Sequence, residues 1–248
     1  MTGRTTLWTA GLCMALALPA TAAELPTAEA VFAKHRAAIG GDAVDKVRNA
    51  ALDFNFSLPG MGIATTGKAY MEVPGKAYMM IDLTTVGASN HEEGVSGGVA
   101  WQSSPQTGLR VLDGLEKRMA LQRSRLDAFS SWKDFWDKAE TVAEEEVAGT
   151  PCYKVVLTAA DGPPVSGCFA KGTGLLLQMA VPVPQMGATV LVKTSDFRPV
   201  DGVMMAHRVE QEGPMPLTIE YTRIRFNVDD IPPGRFDPPA GIAAPAGR

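Results

Sequence analysis

The sequence has little of what catalytic sites are usually built from. It holds three histidines, His35, His91 and His207, and three cysteines in 248 residues. The histidines form no ligand-spaced cluster, and His91-Glu92-Glu93 lacks the second histidine of a zinc-protease helix. His91 reads as a solvated strand edge, and His207, alternating with Met205 and Val209, as a core or rim histidine. No serine sits in a G-x-S-x-G elbow. Glycine is abundant, yet no glycine-rich stretch joins a strand to a helix as a phosphate cradle requires. The run Glu144–Glu146 sends neighbouring carboxylates to opposite faces of a strand. Without a nucleophile beside a base, paired carboxylates or a ligand cluster, no catalytic residue, metal or cofactor is expected.

An excess of charge is also missing. Lys and Arg total 23 against 27 Asp and Glu, a net charge of -4, and the signs are interspersed. Nothing forms the basic patch that nucleic acid needs. The apolar run Leu7–Leu18 is shorter than the roughly 20 residues that cross a bilayer. Arg4 precedes it, Pro19 breaks it and Ala20-Thr21-Ala22-Ala23 follow, the layout of a secretory signal peptide cleaved after Ala22 or Ala23. Cys13 lies inside the run behind the bulky Leu12, so no lipid anchor is expected. The reading is a leader over 1–23, and a single periplasmic domain over 24–248 of the larger all-β kind. Cys152 and Cys168 would then meet an oxidising compartment. A bridge needs them near-opposite on one face of a hairpin; two buried thiols packed as small hydrophobes are the favoured alternative.

What is present is periodicity. Thr27 caps a helix to about Ala38, with Val31, Phe32, His35 and Ile39 on one face and Gly40-Gly41 at its end. A second short helix runs from Asp42 to Val47. The period then changes to two: Leu52, Phe54, Phe56 and Leu58 alternate with polar residues. Ile63–Val73, Ala77–Leu83, Asn90–Val95, Val99–Ser103 and Leu109–Leu112 continue between Gly and Pro turns. From Asp113 to about Lys138 the spacing is helical again, with Leu115, Met119, Leu126, Phe129, Trp132, Phe135 and Trp136 as an apolar stripe that must lie on something. Strands resume over Thr141–Val147, Cys152–Thr158, Pro164–Ala170, Leu175–Pro182, Thr189–Phe197, Met204–Glu212 and Leu217–Val228, divided by turn-forming Gly and Asp-Gly. Short strands at such regular spacing predict a curved antiparallel sheet.

The twelve methionines fall largely on these strands, among them Met71, Met79, Met179 and Met205. They suit either an ordinary core or a surface that accepts varied apolar partners. A curved sheet with a helical insertion makes a covered cup, which favours the second.

Several stretches in order resemble one family. The first helix ends Ala38-Ile39-Gly40-Gly41, and its following strand ends Leu58-Pro59-Gly60-Met61-Gly62. Val73-Pro74-Gly75-Lys76, Gly98-Val99-Ala100-Trp101 and Cys152-Tyr153-Lys154-Val155-Val156-Leu157-Thr158 come next. Gly172-Thr173-Gly174-Leu175-Leu176 and Phe197-Arg198-Pro199-Val200-Asp201-Gly202-Val203 close the series. Together they resemble the LolA/LolB-like superfamily of outer-membrane lipoprotein-sorting-like proteins over nearly the whole mature chain. The resemblance implies a mainly β fold, an incomplete antiparallel β-barrel (half-barrel) with an N-terminal helix and a helical lid. It implies a lipid, acyl chain or lipoprotein held in an apolar cavity in the periplasm, with no cofactor. Lipoprotein carriers hold a basic residue before the proline where this chain has Val73, a departure that bears on lipoprotein shuttling and not on apolar-ligand binding.

The expected function is therefore a monomeric binding protein with a partly unfilled apolar interior. Its lining would be Phe54, Phe56, Ile63, Met71, Met79, Ile81 and Trp101 from the sheet, and Met119, Phe129, Trp132 and Phe135 from the lid. The rival reading is an envelope sensor or scaffold that docks a protein partner and whose hollow is only a core. A hydrolase, needing a polar cluster inside the hollow, ranks third.

Overall fold

The computed structural model describes residues 24–183 and 186–242; the expected leader at 1–23 lies outside them. Helix α1 (Ala28–Ala38) begins where Thr27 Oγ1 accepts the Ala30 amide at 3.2 Å, satisfying a donor that the first turn leaves free. Val31, Phe32 and His35 are buried on one face, as their spacing predicts. A short helix α2 (Asp42–Asp45) follows Gly40 and Gly41.

Six strands then run as a meander: β1 (Asn49–Leu58), β2 (Ile63–Glu72), β3 (Lys76–Ile81), β4 (His91–Ser96), β5 (Val99–Ser104) and β6 (Gly108–Val111). After helix α3 (Gly114–Arg123) comes a second meander. It contains β7 (Lys138–Val147), β8 (Thr150–Ala159), β9 (Gly162–Ala170), β10 (Leu176–Val183), β11 (Ala188–Val200), β12 (Val203–Glu212) and β13 (Leu217–Phe226). All thirteen form one sheet in the order β6-β5-β4-β3-β2-β1-β13-β12-β11-β10-β9-β8-β7. The meanders join where the first strand pairs with the last, antiparallel, with Ala50 opposite Phe226 and Phe56 opposite Ile219. β6 and β7 are the two edges and do not pair, so the sheet is an open half-barrel.

Curvature has local causes. The register shifts at Asp53/Phe54, Thr141/Ala143, Leu157/Ala159 and Leu176/Gln178, and each such irregularity bends its strand and raises the local twist. Missing side chains let large rings lie flat on the sheet. A Cβ on Gly67 would fall 2.2 Å from the Phe54 ring, and one on Gly94 2.3 Å from the Trp101 ring.

The insertion between the edges differs from expectation. Only Gly114–Arg123 is α-helical, with one 3-10 turn at Trp132–Asp134. Ser124 Oγ donates to the Leu121 carbonyl and Asp127 Oδ1 accepts the Ser130 amide. Such side-chain bonds compete with helix continuation. The bend brings Phe129, Trp132 and Trp136 down together onto the sheet, which a straight helix would have spread along its length.

The cysteines correct the favoured sequence reading. Cys152 and Cys168 are bridged, with Cα atoms 5.5 Å apart across β8 and β9. Each is offset by two residues from its directly paired neighbour, since Cys152 faces Ala170 and Cys168 faces Lys154. The bridge closes a sequence separation of 16, a loop whose entropy in the unfolded chain is worth about 3 kcal/mol. Replacing both cysteines by alanine is expected to preserve the far-ultraviolet circular dichroism spectrum and to lower stability by about 2–4 kcal/mol in urea unfolding.

Candidate functional site

Strand pairing fixes which side chains share the concave face. Phe54 stands opposite Gly67 and Gly67 opposite Ile81; on the far side Ile219 stands opposite Val209, Val209 opposite Thr194, and Met179 opposite Val192. In the β7–β9 half, Val155, Leu157, Val165 and Phe169 are fully buried beneath Val31 and Phe32 of α1 and Leu115, Met119, Phe129, Trp132 and Trp136 of the insertion. Phe129 stacks on Phe32 at 5.3 Å and meets Phe169 edge-on at 5.0 Å. His35 wedges between Phe129 and Phe169, and its Nδ1 donates to the Gly174 carbonyl at 3.0 Å. Burial holds its pKa below the ordinary imidazole value. This half of the hollow is filled by the chain's own side chains, contrary to the expectation of an unfilled interior.

The other half is covered less. Phe54, Phe56, Leu58, Ile81 and Leu83 form a buried cluster, with Ile63, Met79, Leu217, Ile219 and Tyr221 half-buried around it. Val192 and Val209, between the two clusters, are also half-buried. The principal helix contacts fall on β4, β5, β7 and β9. A strip of apolar side chains on the central strands, Met79, Ile219, Val209, Val192 and Met179, therefore keeps part of its surface.

Ion pairs surround the insertion. Arg36 of α1 reaches Asp127 at 2.9 Å, and the Asp127 side chain is 6% exposed. Arg118 pairs with Asp161 in the β8–β9 turn, and Arg123 Nη2 lies 3.1 Å from Glu93 Oε2 on β4. Arg110 on β6 makes a forked contact to Glu116 at 2.7 and 2.8 Å and also donates to Gln102 Oε1, while Gln102 Nε2 donates to Glu93 at 3.2 Å. Burial pushes the Glu93 carboxyl up, but the approach of His91 (Nε2 at 3.6 Å), the Arg123 charge and the Gln102 amide outweigh it and lower its pKa to about 2.

Two clefts open at the surface. One, of about 400 Å³, lies between α1, α2, the β2–β3 turn and the insertion, lined by residues that include Arg36, Val47, Val73, Arg125 and Leu126. The other, of about 310 Å³, lies between β3–β5 and the C-terminal tail at Pro233–Pro239.

This fold is similar to those of several solved structures. A DUF1329 family protein from Desulfovibrio piger is 17% identical, with a TM-score of 0.58 over 85% of this chain and 97% of its own. A LolA superfamily protein from Nitrosomonas europaea is 14% identical, with a TM-score of 0.54 over 86% and 98%. An outer membrane lipoprotein-sorting protein domain from Vibrio parahaemolyticus is 10% identical, with a TM-score of 0.57 over 85% and 97%. The chain has a LolA-like fold. No protein-family model and no curated protein matches the sequence.

Within this LolA-like fold the residues expected to line one cavity are divided. Phe54, Phe56, Ile63, Met79 and Ile81 do meet in one concave cluster. Met71 packs instead in the neighbouring cluster beneath Ile39, Val44 and Val47. Met119, Phe129, Trp132 and Phe135 lie on the β8–β9 half, away from the first group. Trp101 corrects the expected phase of β5. It lies on the convex face against Tyr78, with Phe236 and Ile242 of the tail, while Ala100 and Gln102 face inward. Only the tail makes an outward tryptophan burial-worthy, and strand alternation alone does not reveal the tail.

The polar cluster under α3 went unread in the sequence, where His91-Glu92-Glu93 looked like a solvated edge. Its available signal was phase: His91 and Glu93 stand in register with the inward Val95. Because the folded-state pKa of Glu93 is depressed, its ionised network adds stability that is complete above about pH 4.5 and lost as pH falls toward 2. Glu93→Gln is expected to cost roughly 1–2 kcal/mol at pH 7 and to flatten the stability profile over that acid window, read by urea unfolding across pH.

Proposed function

We propose that this protein is a secreted periplasmic binding protein, acting as a monomer, that holds an acyl chain of a lipid or lipoprotein against its concave face. The leader-like residues 1–23 and the Cys152–Cys168 bridge fit that compartment. The observation that carries the reading is the way the insertion covers the sheet. Its underside is aromatic and apolar, and its perimeter is fastened by the pairs Arg36–Asp127, Arg118–Asp161 and Arg123–Glu93. A segment attached in this way is a lid that can lift as a unit, exposing Val155, Leu157, Val165 and Phe169 next to the strip at Val192 and Val209. Each acyl CH₂ that replaces water there is worth about 0.8 kcal/mol, so a chain of ordinary length gains affinity without a polar anchor. The folds shared with a LolA superfamily protein and a lipoprotein-sorting domain support this class of cargo.

The filled β7–β9 half favours a second reading. A lid that never lifts leaves only a core, and the protein is then a scaffold that docks an envelope partner.

A fluorescent fatty acid separates the two. Uptake by the purified protein is expected, with Met79→Asp reducing it at least tenfold because a charge enters the apolar strip. Asp127→Asn is expected to speed uptake several-fold by releasing α1 from the lid. Stopped-flow fluorescence that shows no uptake by any of the three proteins would favour the scaffold.

A further inference from the structure

Thirteen strands in alternating hairpins place their turns at two ends of the sheet, and the two ends differ in chemistry. One end carries the β2–β3, β7–β8, β9–β10 and β11–β12 turns and is charged. Glu72 pairs with Lys76 and Lys171 with Glu144, and Asp201 stands exposed in its turn. The opposite end carries the β1–β2, β3–β4 and β12–β13 turns. The β1–β2 and β12–β13 stretches, Phe54–Gly67 and Gly213–Ile219, contain no Lys, Arg, Asp or Glu, and the β3–β4 connection carries one charged residue, Asp82, whose carboxylate accepts from the Thr84 amide and hydroxyl.

Each of these turns lifts one apolar side chain into solvent. Met61 is 58% exposed, Val86 49% and Met215 41%; Met186, two residues before β11, is 44% exposed at the same end. Nothing backs the tips, since a Cβ added to Gly60, Gly62 or Gly87 would meet no atom within 4 Å. The one charged turn residue of the β8–β9 hairpin on this rim, Asp161, is paired with Arg118. Strands lie about 4.8 Å apart, so neighbouring tips are spaced about 10 Å along the rim.

We propose that this rim docks on a lipid bilayer, with Met61, Val86 and Met215 entering the interface and sparsely charged turns lying on zwitterionic headgroups. Separated single side chains on sparsely charged turns, where Asp82 is capped onto Thr84 and Glu212 is paired with Lys193, suit a fluid surface. A protein partner would call for a contiguous anchor cluster ringed by polar groups. The rim is also continuous with the less covered concave strip, because Leu58, Ile63, Leu217 and Ile219 follow directly from the tips toward Met79 and Val209. An acyl chain could pass from bilayer to strip without crossing water. That last step rests on the acyl-binding reading; the docking does not.

The test is flotation of the mature, oxidised chain with unilamellar phosphatidylcholine vesicles. Wild type is expected to float with the vesicles equally at low and at 1 M NaCl. The triple variant Met61→Gln, Val86→Thr, Met215→Gln is expected to bind at least about tenfold more weakly with an unchanged thermal melt, since its side chains touch little. Failure of wild type to float, equal flotation of the variant, or loss of binding in salt would overturn the proposal. So would a wild-type dimer in solution that the variant breaks. Tip-dependent flotation by a chain that takes up no fatty acid would uphold the rim and sink the acyl-binding reading, and uptake without flotation would do the reverse.

Discussion

A curved sheet turns one apolar face inward, and in this chain that face must be covered by the segment that joins the sheet's own two edges. β6 and β7 lie at opposite ends of the strand order yet are consecutive in sequence. Their connection crosses the concave side. It therefore arrives over Val155, Leu157 and Val165 whatever else it does, and a polar connection there would leave those side chains wet. The weight of aromatic residues between Phe129 and Trp136 follows from topology before any question of function. α1 completes the cover because the N-terminus enters beside the same strands.

The same connection explains where charge sits. A segment that crosses the hollow from β6 to β7 meets the β4–β5 surface with its first half, where Val95 and Ala100 pack on Leu112 and Ala120 and polar residues lie beside them. Arg110, Glu116, Gln102, Glu93 and Arg123 satisfy one another along that seam. The aromatic half is buried and undirected, while the polar half fixes position through hydrogen-bond geometry. A covering element with an apolar underside and ion pairs on both flanks, Arg123–Glu93 on one and Arg118–Asp161 on the other, is held in a single place. Asp127 extends the registering contacts to α1, since its carboxylate binds Arg36 and also ends the turn at Ser130.

Much of this fold was legible in the sequence because strand alternation and turn chemistry are local signals. Each strand stretch, the capped first helix and the short second helix lie close to where the periodicity put them. The concave grouping of Phe54, Phe56, Ile63, Met79 and Ile81 was legible for the same reason, since inward phase on adjacent hairpins follows from turn length. What stayed hidden was long-range. Trp101 points outward because a tail more than a hundred residues later covers it, and Gly94 opposite leaves room for its ring. Met119 and Phe129 look like partners of Met79 in an alternating pattern, but the strand order separates β8–β9 from β1–β3. The extended helix expected over Asp113–Lys138 failed at Ser124 and Asp127, whose side chains bond to their own backbone.

The difference between the two ends of the sheet has a structural reading as well as a functional one. Turns at the charged end adjoin the helices: α2 packs beside the β11–β12 turn, where Gly202 approaches Ala43, and Lys34 of α1 donates to the Lys171 carbonyl. Charge at that end is paired within the turns themselves, Glu72 with Lys76 and Lys171 with Glu144. Among the described residues the principal helix contacts miss the β1–β2, β3–β4 and β12–β13 turns, and beside them Leu58 and Leu83 are buried while Ile63, Leu217 and Ile219 remain half-buried. Turns with little charge and no covering layer give no packing reason to carry Met61, Val86 and Met215 outward. Solubility alone would favour a charged residue at each tip. Their presence there is a cost in water, and it becomes intelligible when that end spends part of its time against something that is not water.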